Sequence, residues 1–174
     1  MPSTLDRARG IALMAFDVDG VLTDGTLFLG SAGEEMKAFN SLDGQGMKML
    51  QENGVALALI TGRNSGAVTL RARELGIVHL YQGVHDKTEA CRDILGKTGL
   101  RLDQFGYMGD DLPDLRLLSR CGLAATVPQA PDAIRQAAHY VSTREAGRGA
   151  VREVCDFILL AQGKLDAAIT AYRT

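Results

Sequence analysis

The sequence predicts an α/β fold, a parallel sheet with helices on both faces. Three observations lead there. Short apolar runs recur at 11–16, 55–60, 77–81, 105–108 and 123–126, each bounded by turn residues as a buried strand is. Stretches with helix-capping residues at their starts separate these runs. Gly, Asp and Asn cluster at the run ends. Strands alternating with helices build a parallel sheet covered on both sides, a Rossmann-like arrangement. Ligands bind such sheets beyond the carboxyl ends of the strands.

Taken in order, residues 3–9 are polar and open as a short helical or frayed start. The first strand, 11–16, runs into Asp17-Val18-Asp19-Gly20. Residues 26–39 read as a β-hairpin flap: an apolar arm, a Gly-Ser-Ala-Gly turn and a second arm. Asp43 is expected to N-cap a helix reaching about residue 53, with Met47 and Leu50 inward. The second strand, 55–60, ends at Thr61-Gly62-Arg63, and Asn64 is expected to cap the following helix, which stops before Gly76. Residues 77–81 form the third strand and 87–97 a helix. The fourth strand, 105–108, ends at Gly109-Asp110-Asp111, where Asp111 with Pro113 opens the next helix. The fifth strand is 123–126, Pro131 starts a helix, 139–141 form a last short strand, and 148–165 reads as one long helix.

A chain of 174 residues suits one domain, 1–174, with a sizeable core. No repeat, low-complexity segment or linker divides it. Apolar residues make up 46% and charged residues 23%, the balance of an ordinary globule. A net charge of −2 leaves no basic footprint for nucleic acid. No apolar run approaches the roughly 20 residues of a membrane span, and 11–16 is too short for a signal-peptide core. Cys91, Cys121 and Cys155 are far apart and odd in number. They form neither a metal-ligand spacing nor a disulfide framework, so a reducing cytoplasm is expected. His79, His85 and His139 are scattered and read as ordinary surface or core residues.

The chemistry is expected at Asp17, Asp19, Thr61, Lys87 and Asp110, each at a strand exit or a helix start. Asp17 and Asp19 are two residues apart, so strand geometry aims them the same way. Buried like charges without partners are costly. A hard divalent cation with oxygen ligands, typically Mg²⁺, removes that cost. The set suits phosphoryl transfer. Asp17 is the nucleophile, giving an aspartyl-phosphate. Asp19 protonates the leaving oxygen and then deprotonates the attacking water. Mg²⁺ is held by Asp17, the Asp19 main-chain carbonyl and Asp110. Thr61 binds phosphate oxygens and Lys87 faces both phosphate and Asp17. Each residue alone has a plain reading: Thr61-Gly62 as a strand exit, Lys87 as a solvated helix lysine, Asp110-Asp111 as a cap. The coincidence of all of them in order carries the argument.

Asp17-Val18-Asp19-Gly20-Val21, Ile60-Thr61-Gly62-Arg63, Lys87, and Gly109-Asp110-Asp111 with Asp114 following resemble the four motifs of the haloacid dehalogenase superfamily of phosphohydrolases. GVLTDG at 20–25, E-E-x-K-A-F-N at 34–40, DGQG at 43–46, HLYQG at 79–83 and GRGAVREVCDFILLAQGKL at 147–165 narrow the resemblance to the 3-deoxy-D-manno-octulosonate 8-phosphate phosphatase family. The resemblance implies a Mg²⁺-dependent, cytoplasmic, homotetrameric phosphatase of lipopolysaccharide biosynthesis. It also implies substrate contacts from Asn40, Asp43, Gly44 and Lys48 after the hairpin and from Arg63 and Arg71 after the second strand, beside Asp19 and Lys87. Leu42 stands where relatives often carry a basic residue. Larger members of the superfamily carry an inserted cap domain. Here only the hairpin stands in that place, so the fold is expected to be capless and neighbouring subunits to supply the lid. Leu27-Phe28-Leu29 would be exposed in a monomer. Arg148, flanked by glycines, is expected to reach a neighbouring site and hold the sugar. The alternatives are a phosphatase for a nine-carbon sialic-acid-type phosphate and, from another class, a phospho-acceptor receiver module. Asp19 argues against the receiver, because it supplies the acid–base help that turnover needs.

Overall fold

The computed structural model describes residues 2–31, 33 and 35–173. Six strands, β1 (Leu13–Phe16), β4 (Ala56–Ile60), β5 (His79–Tyr81), β6 (Phe105–Met108), β7 (Leu123–Thr126) and β8 (Tyr140–Val141), form one sheet in the order β5-β4-β1-β6-β7-β8. Every pairing in it is parallel. β1 is central, and all four of its residues are fully buried, which is why this apolar run shows no polar alternation. Phe16, Phe105, Tyr107 and Leu59 anchor the core.

From β1 the chain winds outward through β4 to β5, then returns to β6 and winds the other way. Right-handed crossovers put α2 (Ser41–Glu52) and α3 (Gly66–Glu74) on one face, with α1 (Thr4–Arg9) and α7 (Ala150–Ala161) packed alongside. α4 (Lys87–Thr98), α5 (Leu112–Leu118) and α6 (Asp132–Ala137) cover the other. The winding reverses between β1 and β6, so the exits of β4, β1 and β6 lie side by side at a topological switch point.

A two-stranded antiparallel hairpin stands apart, β2 (Phe28–Leu29) with β3 (Glu35–Met36), pairing Phe28 with Met36 and Leu29 with Glu35. Ala32 of its expected turn and Glu34 of its expected second arm lie outside the described residues. Its apolar side chains do not pack on the chain's own core: Leu29 is 68% and Met36 69% exposed.

Three local expectations are corrected. α2 begins earlier than expected, and Asn40 rather than Asp43 is its N-cap, the Asn40 Oδ1 accepting from Leu42 N–H at 2.8 Å. Asp43 therefore falls inside the first turn. Ser65 rather than Asn64 caps α3, its Oγ accepting from Val68 N–H. The expected long tail helix is broken at Gly163, whose φ of +68° suits glycine. α7 ends at Ala161 and α8 (Leu165–Thr170) follows. No helix among the described residues is long and apolar enough to cross a membrane.

Candidate active site

A cavity of about 420 Å³ opens at the switch point, and Asp17, Asp19, Thr61, Arg63, Lys87 and Asp110 all contribute to its walls. β1 delivers Asp17, β4 delivers Thr61 and β6 delivers Asp110 through Gly109. Adjacent parallel strands are roughly 4.8 Å apart, so three successive exits place these side chains around one small volume.

Asp17 is 8% exposed. Its Oδ1 accepts from Val18 N–H at 2.7 Å and its Oδ2 faces Lys87 Nζ at 2.9 Å. The chain then bends sharply through Val18–Leu22, closed by the Thr23 N–H donating to Val18 C=O. Gly20 has φ +86°, and a Cβ there would stand 2.0 Å from Asp110 Oδ2. Only glycine lets the nucleophile turn lie against the β6 exit.

Lys87, the first residue of α4, is 4% exposed. Burial works against its charge, but Asp17 and Asp114 outweigh burial and hold the ammonium above its ordinary value. Asp114 caps α5 together with Asp111 and is fully engaged. Its Oδ1 accepts from Lys87 Nζ at 2.5 Å and Tyr107 OH at 2.6 Å, and its Oδ2 from the N–H groups of Asp110 and Asp111. Asp114 and Tyr107 are thus parts of the site that the sequence reading left without roles. The spacing after Gly109 was a signal for Asp114. Nothing marked Tyr107, which sits in a buried strand like any core aromatic.

Carboxylate oxygens of Asp17, Asp110 and Asp114 come within 4.8 Å of one another. Burial, then the Asp114 charge, push Asp17 up to about 6, with Lys87 pulling the other way. Burial, then Asp17 and Asp114, push Asp110 up to about 7. Asp110 Oδ1 is buried with no hydrogen-bond partner, the one such side-chain oxygen or nitrogen among the described residues. Three carboxylates against one ammonium leave two negative charges uncompensated, the charge of one divalent cation. An orphaned hard oxygen beside a second carboxylate is the donor set such an ion takes. Each Asp114 oxygen already takes two donors, whereas each Asp17 oxygen takes one and Asp110 Oδ1 takes none, so Asp17 and Asp110 are the side chains with acceptor capacity left for the ion.

Asp19 is held from the hairpin side. Lys37 Nζ lies 2.5 Å from Asp19 Oδ1 and 3.0 Å from Glu35, and its side chain is almost wholly buried. Arg63 Nε approaches Asp19 Oδ2 at 3.9 Å from the exposed rim. Lys37 was not singled out from sequence, because a lysine on a hairpin arm looks like any solvated one. Thr61 is buried, its N–H donating to Tyr81 C=O and its Oγ1 accepting from Arg63 N–H.

The remaining expected substrate contacts form a second group outside these walls. Arg71 on α3 donates to Asn40 C=O at 3.2 Å, pairs with Glu74 and covers the Phe39 ring. Gly44 lies beneath its guanidinium. Lys48 is exposed on α2. Asp43 is buried, and burial raises its pKa while backbone N–H groups of α7 pull it down. Arg148 borders a neighbouring cavity of about 490 Å³ that shares Gly20, Gly25, Asp110 and Asp111 with the first.

A family model for haloacid dehalogenase-like hydrolases matches residues 72–154. The 3-deoxy-D-manno-octulosonate 8-phosphate phosphatase of Yersinia pestis is 46% identical over 164 residues, 94% of this chain and 88% of that protein. The crystal structure of the phosphatase of the same name from Moraxella catarrhalis, in complex with magnesium ion, phosphate ion and KDO, superimposes with a TM-score of 0.95. It is 44% identical and 97% of each chain is covered. The cobalt-bound form of the Haemophilus influenzae phosphatase gives 0.91 at 38% identity, covering 95% of this chain and 97% of that one.

Proposed function

The chain belongs to the haloacid dehalogenase-like hydrolases and, among them, to the 3-deoxy-D-manno-octulosonate 8-phosphate phosphatase family, and from that premise we infer its reaction, its residues and its assembly. The protein hydrolyses 3-deoxy-D-manno-octulosonate 8-phosphate to the free sugar acid and phosphate, uses Mg²⁺ and serves lipopolysaccharide biosynthesis. The observation that carries the catalytic reading is the orphaned Asp110 Oδ1 in a three-carboxylate cluster beside Lys87.

In the proposed assignment, Asp17 Oδ2 attacks phosphorus while the bond to the sugar oxygen breaks, and Asp19 gives that oxygen its proton. Asp19 then takes a proton from water as the water attacks the aspartyl-phosphate, releasing phosphate and restoring Asp17. Thr61 and Lys87 bind the phosphate oxygens, and Lys87 also keeps Asp17 anionic. Asp17, the Asp19 carbonyl and Asp110 hold the ion; when bound, Mg²⁺ neutralises charge on phosphate and nucleophile. Arg63 at the rim, and Gly44, Lys48 and Arg71 around α2 and α3, serve the sugar end, with guanidinium and ammonium groups matched to an acid substrate.

The chain acts as one catalytic unit. Its exposed hairpin, with Leu27, Phe28, Leu29 and Met36 facing outward, supports a homotetramer built on hairpin contacts, because a lone domain leaves this patch wet and the site uncovered. Buried, unpaired Cys91, Cys121 and Cys155 support a cytoplasmic location.

The test is phosphate release from the eight-carbon sugar acid phosphate and a nine-carbon sialic-acid-type phosphate, with and without Mg²⁺. Turnover of the eight-carbon substrate only with the ion is expected. Preference for the nine-carbon substrate, or turnover indifferent to chelation, would overturn the reading. Sedimentation showing a fully active monomer would end the tetramer.

A further inference from the structure

Asp43 was expected to touch substrate, and its surroundings give it other work. It is 1% exposed in the first turn of α2. A carboxylate so buried needs donors, and it finds them on another helix. Arg152 N–H donates to Oδ1 at 2.8 Å and Gly149 N–H to Oδ2 at 3.4 Å. These amides open α7, whose own N-terminal residue, Gly149, has no side chain to accept them. Asp43 therefore caps α7 from 106 residues away, an anion at the positive end of the helix.

Asn40 works beside it. While Oδ1 caps α2, Nδ2 donates to Gly147 C=O at 3.2 Å. Gly147 N–H in turn donates to Val21 C=O at 3.0 Å. Gly147 has φ +63°, and a Cβ there would stand 2.7 Å from Asp24 N. The 147–149 turn is thus wedged between the start of α2 and the turn that follows the nucleophile. Its middle residue, Arg148, borders the cavity continuous with the catalytic pocket.

We propose that Asp43 and Asn40 are positioning residues that lock the 147–149 turn so that Arg148 meets the substrate's sugar-acid carboxylate while its phosphate lies at Asp17. The inference rests on the phosphatase reading above. It places Arg148 at its own chain's cavity, where a rival carboxylate, Glu145, lies 3.9 Å from Nε and is displaced by the ligand.

The experiment compares steady-state kinetics of wild type, Asp43→Asn, Arg148→Ala and the double variant. The substrates are the eight-carbon sugar acid phosphate and p-nitrophenyl phosphate, which has no carboxylate. Asp43→Asn is expected to raise KM for the sugar substrate about tenfold, with kcat changed less than about twofold. The specificity ratio of sugar over aryl substrate falls by a similar factor. The double variant loses no more than Arg148→Ala alone, because both act through one contact. Asn40→Asp, which keeps the α2 cap but loses the donor to Gly147, moves the ratio the same way and carries the test if Asp43→Asn does not fold. Equal losses on both substrates, or losses that multiply in the double variant, overturn the positioning role alone. A wild type that leaves the sugar substrate intact overturns the phosphatase reading with it.

Discussion

The two ends of the site spend their polar groups differently. At the strand edge, Asp17, Lys87, Asp110 and Asp114 turn side chains toward one another and toward the cavity. At the helix side, Asp43 and Asn40 turn theirs onto backbone amides and carbonyls of the tail. The first end stores charge where a reaction can use it, and the second uses charge to hold chain. Substitutions at the strand edge should therefore appear in kcat, and those at the helix side in KM for the sugar alone.

The sharpest way to break this contrast is Asp17→Asn. Removing the nucleophile is expected to lower kcat by about 10³-fold or more on sugar and aryl phosphates alike, with no phospho-enzyme recovered after acid quench. A sugar-selective loss would erase the division. Asp19→Asn comes next, with a fall of about 10²–10⁴-fold in kcat. Mg²⁺ binding, followed calorimetrically, should be largely retained, since a main-chain carbonyl rather than the side chain is assigned to the ion.

The same contrast explains what could be read without coordinates. Asp17, Thr61 and Asp110 were legible because each follows an apolar run, and parallel topology then gathers strand exits by rule; Lys87 opens a helix instead, and Asp114, inside the first turn of α5, drew no role. Six strands and the hairpin appeared where the apolar pattern put them, with ends trimmed, since pairing partners rather than hydropathy decide where a ladder stops. On the helix side the substrate roles came only through family resemblance, and the side chains of Asp43 and Asn40 meet backbone groups of the tail instead. Asp43 and Asn40 both look like caps, and the letters do not say which one starts its own helix and which serves another 106 residues away. Lys37 was missed for a related reason: its partner, Asp19, is 18 residues away across a turn. Lys37→Met tests whether that hairpin contact belongs to the chemical end. A fall in kcat of about tenfold is expected on both substrates as Asp19 loses its anchor; a shift confined to sugar KM would assign Lys37 to the other end.

The smallest effect is expected at Glu153, on the tail-holding side. Its carboxylate accepts from Tyr140 OH at 2.8 Å, Thr143 N–H at 2.9 Å, Thr143 Oγ1 at 2.8 Å and Arg144 N–H at 3.1 Å. Partial burial pushes its pKa up, but these donors outweigh burial and leave it below its ordinary 4.5. A depressed carboxylate stabilises the fold fully above the unfolded-state value and loses that contribution as pH falls through the folded one. Glu153→Gln should therefore cost about 1–2 kcal/mol at pH 7. That is a Tm lower by about 2–8 °C, and the gap should close as melts are taken below about pH 4.5. If sugar KM also rises as in Asp43→Asn, the segment from Tyr140 to Gly149 moves as one body and the helix side is larger than Asp43 and Asn40. If only Tm moves, positioning of Arg148 resides in the bonds to the 147–149 turn, and the contrast between the two ends narrows to those few contacts.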